Sequence, residues 1–118
     1  MAIEIGSQGL VKAKLTIPQG CSVSFTVIHK DDAGSTIDHS SSTGKLALQD
    51  REGRTKKTYD LSSGVTCGAS SIVVSLPPAK TAVIPVGRYF WDLIVEKGTE
   101  KIRLLYGDAE IVDTYALD

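Results

Sequence analysis

The sequence has no asparagine and is poor in cysteine, proline and aromatic side chains. Its 118 residues include two cysteines, four prolines and seven aromatic residues. Without asparagine, the chain has neither an N-glycosylation acceptor nor an Asn-Gly hairpin turn. Two cysteines exclude a disulfide-rich scaffold, and we expect Cys21 and Cys67 to be separate thiols rather than a bridge. Thirteen basic and fourteen acidic residues leave a charge of −1, so the composition predicts no nucleic-acid partner.

Long apolar runs are also lacking. No run exceeds about five residues, whereas a membrane-spanning helix needs about 20. The first residues, MAIEIGSQGLVKAK, have neither the basic start nor the apolar centre of a secretory signal. We therefore expect no membrane partner, and synthesis in a cytoplasm.

The residues that are abundant favour β-structure. Valine, isoleucine and threonine occur ten times each, and β-branched side chains suit the pleated surface of a strand. About seven short alternating segments, separated by turn residues, predict an all-β fold, an antiparallel β-sandwich of seven to eight strands. We expect one domain over residues 1–118, with residues 1–10 as a flexible N-terminal arm.

Alternation places the individual strands along the chain. The expected strands cover 11–17, 21–29, a segment around Leu46 and Leu48, 71–76, 88–96, 100–106 and 109–115. The charged segment 54–60 is expected to be an edge strand or a mobile loop, because lysines discourage edge pairing. Residues 35–44 are expected to form an irregular crossing loop, and at most one helical turn is predicted near 78–83.

The hairpin around Gly98 has the clearest pattern. In RYFWDLIVEKG, the inward face is formed by Tyr89, Trp91, Leu93 and Val95. The same alternation turns Phe90 and Ile94 outward. On the partner strand, Ile102, Leu104 and Tyr106 are expected inward and Leu105 outward. Phe90, Ile94 and Leu105 thus form the candidate protein interface, as three large apolar groups on one outer face.

Signatures of enzymatic chemistry are absent from the sequence. It has no phosphate-binding GK[ST] loop, no C-x-x-C or H-x-x-x-H metal spacing and no G-x-S-x-G elbow. His39, within DHSSS, is expected to be a solvated loop residue rather than a general base. We therefore expect no catalytic, cofactor-binding or metal-binding residues, and no cofactor.

A family resemblance adds to this interpretation. The block GRYFWDLIVEKGTEKIRLLYGDAEIV, residues 87–112, resembles a pattern of tailed-phage structural proteins, in which a G-x-Y-x-[WY]-D-[LI] strand precedes a hairpin and an L-L-x-G segment. The matched positions are Gly87, Tyr89, Trp91, Asp92, Leu93, Leu104, Leu105, Gly107 and Val112. The segment IPQGCSVSFTVIHKDDAGSTID is similar to the opening of these modules. Together the two segments extend the resemblance over about residues 16–113. The similar modules include the N-terminal domain of phage baseplate upper proteins.

The resemblance implies an immunoglobulin-like virion component that is not an enzyme. Such a protein would act by packing against copies of itself, as a homo-oligomer, or against other phage structural proteins of the tail, baseplate or fibre. A carbohydrate-binding module is the alternative, and it predicts a row of exposed aromatic side chains. A small hydrolase is a third reading, and it predicts a polar cleft holding a histidine partnered by a carboxylate.

Overall fold

The structure is a computed structural model that describes residues 2–51 and 57–114. The described segments contain ten strands: β1 (Ala2–Ile5), β2 (Val11–Lys12), β3 (Leu15–Pro18), β4 (Val23–His29), β5 (Thr43–Asp50), β6 (Thr58–Asp60), β7 (Val65–Cys67), β8 (Ile72–Leu76), β9 (Gly87–Lys97) and β10 (Glu100–Val112). A 3₁₀ turn covers Ser62–Gly64, and a short helix α1 covers Pro78–Thr81. The helical turn predicted near 78–83 is confirmed.

Two sheets pack face to face. The small sheet has the order β1-β4-β8-β7 and the large sheet the order β2-β10-β9-β5-β6, with β3 also paired to β10. Between them lies one apolar core to which both sheets contribute alternate residues, among them Val27, Leu48, Val74 and Leu93, all fully buried. The predicted all-β sandwich is therefore confirmed.

A tyrosine at the start of β9 supports the immunoglobulin-like character of the sandwich. The Tyr89 hydroxyl donates a hydrogen bond of 2.6 Å to the carbonyl of Pro85, four residues upstream. In immunoglobulin-like domains, the sixth strand (strand F) begins with a tyrosine that bonds to the backbone a few residues upstream, the tyrosine corner. Strand β9 takes the place of strand F, and Tyr89 makes this bond. The order of β4, β8 and β7 in one sheet, and of β10, β9 and β5 in the other, follows the same pattern.

Parallel pairing at the N-terminal end differs from the predicted antiparallel sandwich. Strand β1 pairs parallel with β4, and both β2 and β3 pair parallel with β10. The expected strand at 11–17 is divided into β2 and β3, and in the gap between them the backbone of Ala13 lies against Gly107. A Cβ at Gly107 would come within 2.4 Å of the Ala13 carbonyl oxygen, so only glycine permits this close approach.

At residues 2–5 the structure has a strand in place of the predicted flexible arm. Residues 2–5 form an edge strand of the small sheet, and Ile5 is buried in the core. The chain then crosses to the large sheet through Gly9 and Leu10, both with positive φ. The amide of Leu10 donates to the carbonyl of Arg103, which anchors the crossing. Met1 lies outside the described residues.

Two other predicted segments are described only in part. Residues 58–60 form the edge strand β6 of the large sheet, one of the two alternatives expected for the charged segment 54–60, whereas residues 54–56 lie outside the described range. The last predicted strand, 109–115, is the continuation of β10 rather than a separate strand. Tyr115, the last residue of that predicted strand, lies outside the described residues.

Candidate functional site

The outward side of the large sheet carries the candidate interface, and we call it the outer face. It consists of the outward residues of β9 and of the strands on either side, with Phe90, Asp92 and Ile94 at its centre. Strand pairing places Phe90 between Asp108 and Gln49, and Ile94 between Arg103 and Lys45. In each of these positions an apolar side chain stands between polar or charged neighbours.

Phe90 and Ile94 both face outward, as predicted, but they differ in exposure. Phe90 is 48% exposed, whereas Ile94 is half-buried between its neighbours. The guanidinium carbon of Arg51 lies 5.3 Å from the centre of the Phe90 ring, within range of a cation–π interaction. Arg51 also contacts Asp108 at 3.2 Å, so the guanidinium group beside the phenyl ring belongs to an ion pair.

Leu105 does not belong to the outer face, and this prediction is wrong. Its side chain is fully buried, as is that of Leu104 next to it. The pairing of β9 with β10 shifts between Arg103 and Leu105. A bulge of this kind places two successive residues on one side of the sheet and reverses the alternation beyond it. Both leucines therefore enter the core.

The same bulge brings Tyr106 to the outer face, where the alternation had placed it inward. Tyr106 pairs with Asp92, and its ring lies 4.7 Å from the guanidinium carbon of Arg103. Arg103 in turn contacts Asp92 at 3.5 Å. Tyr106 is half-buried, and it takes the place that the sequence pattern assigned to Leu105.

Ion pairs surround these apolar groups. Three further contacts join charges on the outer face: Lys14 with Glu110 at 3.4 Å, Lys45 with Glu96 at 3.1 Å, and Lys101 with Glu96 at 3.9 Å. Exposed pairs of this kind contribute at most about 1 kcal/mol each to stability. The two pairs that share Glu96 lie beside Ile94, towards the β9–β10 hairpin, and the pair of Lys14 with Glu110 lies towards the opposite end of β10.

A shallow depression of about 530 Å³ opens on this face. Its lining includes Phe90, Asp92, Tyr106, Arg103 and Gln49. Of the aromatic residues that line it, Phe90 and Tyr106 are on the outer face, and a guanidinium group lies over each of these two rings. The depression thus offers a polar rim with partly covered aromatic groups rather than a row of open aromatic platforms.

His39 occupies a different environment from the one predicted. It is 3% exposed, and its partner His29 is 1% exposed, so the expectation of a solvated loop histidine is wrong. The Nε2 atom of His39 lies 2.9 Å from Nδ1 of His29. A cysteine or histidine spacing motif could not have revealed this pair, because the nine residues between them include a turn and an irregular loop.

The pair does not form the cleft that a hydrolase of the predicted type requires. The second ring nitrogen of His39 contacts the hydroxyl of Ser42 at 2.8 Å, and among residues 2–51 and 57–114 no carboxylate is hydrogen-bonded to either imidazole. A neighbouring cavity of about 320 Å³ is lined by both imidazoles together with Lys97 and Glu100. Ser42 does not line this cavity, so the hydroxyl is not presented to a bound molecule.

The described segments also bear on metal and membrane binding. Within residues 2–51 and 57–114, no three side chains of histidine, cysteine, aspartate or glutamate converge in a way that would hold a metal ion. The same residues include no helix long and apolar enough to span a membrane. Cys21 and Cys67 are both free and half-buried, and burial raises the pKa of the Cys67 thiol.

The chain matches no protein-family model and no curated protein. Among solved structures it is similar to the N-terminal domain of phage TP901-1 ORF48, with 12% identity, a TM-score of 0.48 and coverage of 96% of this chain and 97% of that one. It is also similar, at 9% identity and a TM-score of 0.31, to part of a family 123 glycoside hydrolase from Clostridium perfringens, covering 87% of this chain but only 23% of that chain. With TM-scores below 0.5, neither likeness assigns a function to this chain.

Proposed function

We propose that this chain is a non-enzymatic structural component of a tailed-phage particle. In this proposal the outer face packs against copies of the same chain or against other phage structural proteins. The sequence pattern over about residues 16–113 points to such modules. The observation that carries the interface is Phe90, a large apolar ring that is 48% exposed at the centre of a sheet.

The surroundings of Phe90 suit a docking surface. Buried unpaired charges oppose association strongly, whereas charges that already have partners oppose it less. Asp108 and Asp92 each contact an arginine on the same face. A partner that covers Phe90 and Ile94 would therefore bury apolar area together with the Arg103–Asp92 pair that lies between them, in which each charge already has its partner.

Copies of one chain are the simplest partner for this face. Closed symmetric assemblies reuse the same patch in every copy. A sheet face is suited to this because its residues are held in a rigid register. Residence in the virion, with synthesis in the host cytoplasm, follows from the proposed role.

Two experiments test the structural role. Electron microscopy of phage particles carrying a tagged copy of this chain should show the tag at regular positions. Size-exclusion chromatography with light scattering should show self-association of the purified chain at high concentration. Particles without the tag would contradict the virion role, and a strict monomer would contradict the homo-oligomer.

Carbohydrate binding is the second candidate, and the depression beside Phe90 and Tyr106 favours it. Aromatic rings and planar polar groups such as Gln49 and Asp92 occur in sugar sites. A sugar would have to displace Arg51 or Arg103 before stacking on either ring. Glycan-array binding that is lost in Phe90→Ala and Tyr106→Ala would support this candidate, and an array without hits would remove it.

A further inference from the structure

Two buried imidazoles join three separate parts of the chain in one line of hydrogen bonds. His29 lies at the end of β4, and His39 and Ser42 lie in the crossing loop between β4 and β5. The contacts run from Ser42 Oγ to His39 Nδ1 (2.8 Å), from His39 Nε2 to His29 Nδ1 (2.9 Å), and from His29 Nε2 to the carbonyl oxygen of Ser7 (3.2 Å). The two rings are nearly parallel, with 12° between their planes.

The last contact gives the line a direction. A backbone carbonyl oxygen can only accept, so Nε2 of His29 carries a proton and donates it to Ser7. In neutral His29 the other nitrogen, Nδ1, must then accept, and the donor is Nε2–H of His39. Nδ1 of neutral His39 accepts from the hydroxyl of Ser42. Every donor and acceptor in the line is satisfied when both imidazoles are neutral.

One added proton is compatible with the same contacts. If His29 is charged, its Nδ1–H donates to an unprotonated Nε2 of His39. The proton of His39 is then on Nδ1, and it is donated to Ser42, whose hydroxyl oxygen accepts. A second proton has no place, because it would set two N–H groups and two positive charges against each other across 2.9 Å.

The charged groups around the pair do not remove this conflict. Lys97 of β9 and Glu100 of β10 line the adjoining cavity, Asp38 precedes His39, and Asp32 bonds the Ser7 hydroxyl at 2.6 Å. Burial lowers the pKa of His39, and the positive charges of His29 and Lys97 lower it further, whereas Asp38 opposes them. Lys97 also donates to the carbonyl of Asp38 at 3.1 Å, which holds its cation near the loop.

The line of bonds holds the crossing loop to the small sheet. Within the loop, the amide of Ile37 donates to the carbonyl of His29, and the amide of His39 donates to the carbonyl of Gly68. Ser7 belongs to the crossing between β1 and β2. Charging the pair therefore acts on three connections at one end of the sandwich.

We propose that His29 and His39 form a proton-sensitive latch, which holds the crossing loop closed while at most one of the two imidazoles is charged and releases it when both are charged. The ligand of this device is the proton, and the moving element is the loop of residues 37–42. The proposal does not depend on the virion role, because it concerns the isolated chain.

Nuclear magnetic resonance of the histidine side chains tests the latch directly. The chain has two histidines, and both belong to the pair, so the full histidine titration reports on it. At neutral pH we expect both rings in the Nε2–H tautomer. On acidification we expect the second proton to bind at least about tenfold more weakly than the first, as in strongly coupled sites. Two independent titrations, or a different neutral tautomer, would overturn the proposal.

Hydrogen exchange tests the release of the loop. The amides of Ile37, His39 and Ser42 are bonded in the closed loop. After correction for the intrinsic exchange rate, their protection should fall at least about tenfold as the second proton binds. The amide of Leu93 in the centre of β9 should keep its protection over the same range. Equal loss at all four amides would indicate global unfolding and would contradict a local latch.

Two serines offer a matched pair of variants. Ser42→Ala removes the hydroxyl at the end of the line, whereas Ser41→Ala changes an exposed neighbour. We expect Ser42→Ala alone to reduce protection of the loop at neutral pH. In His39→Gln the amide can still donate to His29, but the second proton site is absent, so protection should no longer fall on acidification. If His39→Gln and the natural chain lose protection alike, the latch is wrong.

Discussion

The indole Nε1–H of Trp91 donates a hydrogen bond of 3.0 Å to the carbonyl oxygen of Ala13, seventy-eight positions away in the chain. This bond connects the centre of β9 to the gap between β2 and β3, across the intervening strand β10. Gly107 of β10 is paired with Trp91, and its missing side chain leaves room for the Ala13 carbonyl. The backbone carbonyl at the break between β2 and β3 is thus hydrogen-bonded to the core tryptophan.

Truncating Trp91 should therefore be costly. Its ring packs edge-to-face on Phe25, with 6.2 Å between ring centres. Trp91→Ala should lower the free energy of unfolding by about 3–5 kcal/mol through the lost burial and the cavity left behind. Denaturant unfolding measures this, with Trp91→Phe as the variant that keeps an aromatic ring but leaves the Ala13 carbonyl without its donor. A Trp91→Ala variant as stable as the natural chain would exclude a core role.

Gly107 and Gly98 give a matched test of close approach. Both have positive φ, but a Cβ at Gly98 would meet nothing within 4 Å, whereas at Gly107 it would lie 2.4 Å from the Ala13 carbonyl oxygen. Gly98→Ala should cost about 1–2 kcal/mol from backbone conformation alone. Gly107→Ala should cost clearly more, because the β2–β3 crossing must shift as well. Equal melting temperatures for the two variants would argue against the close contact.

The tyrosine corner predicts an alkaline effect. Burial raises the pKa of the Tyr89 phenol, and the charges of Tyr59 and Asp50 add to this. The unfolded chain therefore releases this proton at lower pH than the folded chain, so stability from this group falls as the pH rises above about 10. Tyr89→Phe should lose about 0.5–1.5 kcal/mol at neutral pH with the bond to Pro85. It should also show a weaker decline in alkaline denaturant titrations, and an unchanged decline would contradict this assignment.

The bulge in β10 predicts opposite tolerance at two positions. Leu105 is fully buried and Ile94 is half-buried on the outer face. Leu105→Lys should cost more than about 4 kcal/mol, because it places an unpaired charge in the core. Ile94→Lys should change stability by less than about 1 kcal/mol, since a lysine there can extend into water. Thermal melts of the two variants distinguish them, and comparable losses would mean that the facing of β9 or of β10 is wrong.

The alternation in the sequence is sufficient to place the core of β9. Tyr89, Trp91 and Val95 are buried as predicted because a strand without bulges has a strict period of two. The same alternation correctly predicted that Phe90 faces outward. The sandwich itself follows from several such strands, each of which needs a partner layer for its apolar side.

The sequence does not show where the alternation of inward and outward residues is interrupted. The bulge at Leu104 and Leu105 depends on pairing with β9, so the run of apolar residues in IRLLYG is equally consistent with either leucine facing outward. The burial of His39 depends on its contact with His29, and His29 in turn contacts Ser7. These residues come together only through the crossing loop and the segment that follows β1. Neither position carries a local signal of its environment.

The most direct test of the proposed interface is the incorporation of charged outer-face variants into phage particles. Ile94→Lys and Ile94→Glu should both fold and both be depleted from particles, because burial in the interface removes the water around either charge. Ser75→Lys, an exposed position on β8 in the other sheet, is the control and should be incorporated normally. Normal incorporation of both Ile94 variants, with normal melting, would contradict the proposal that the outer face is the assembly surface.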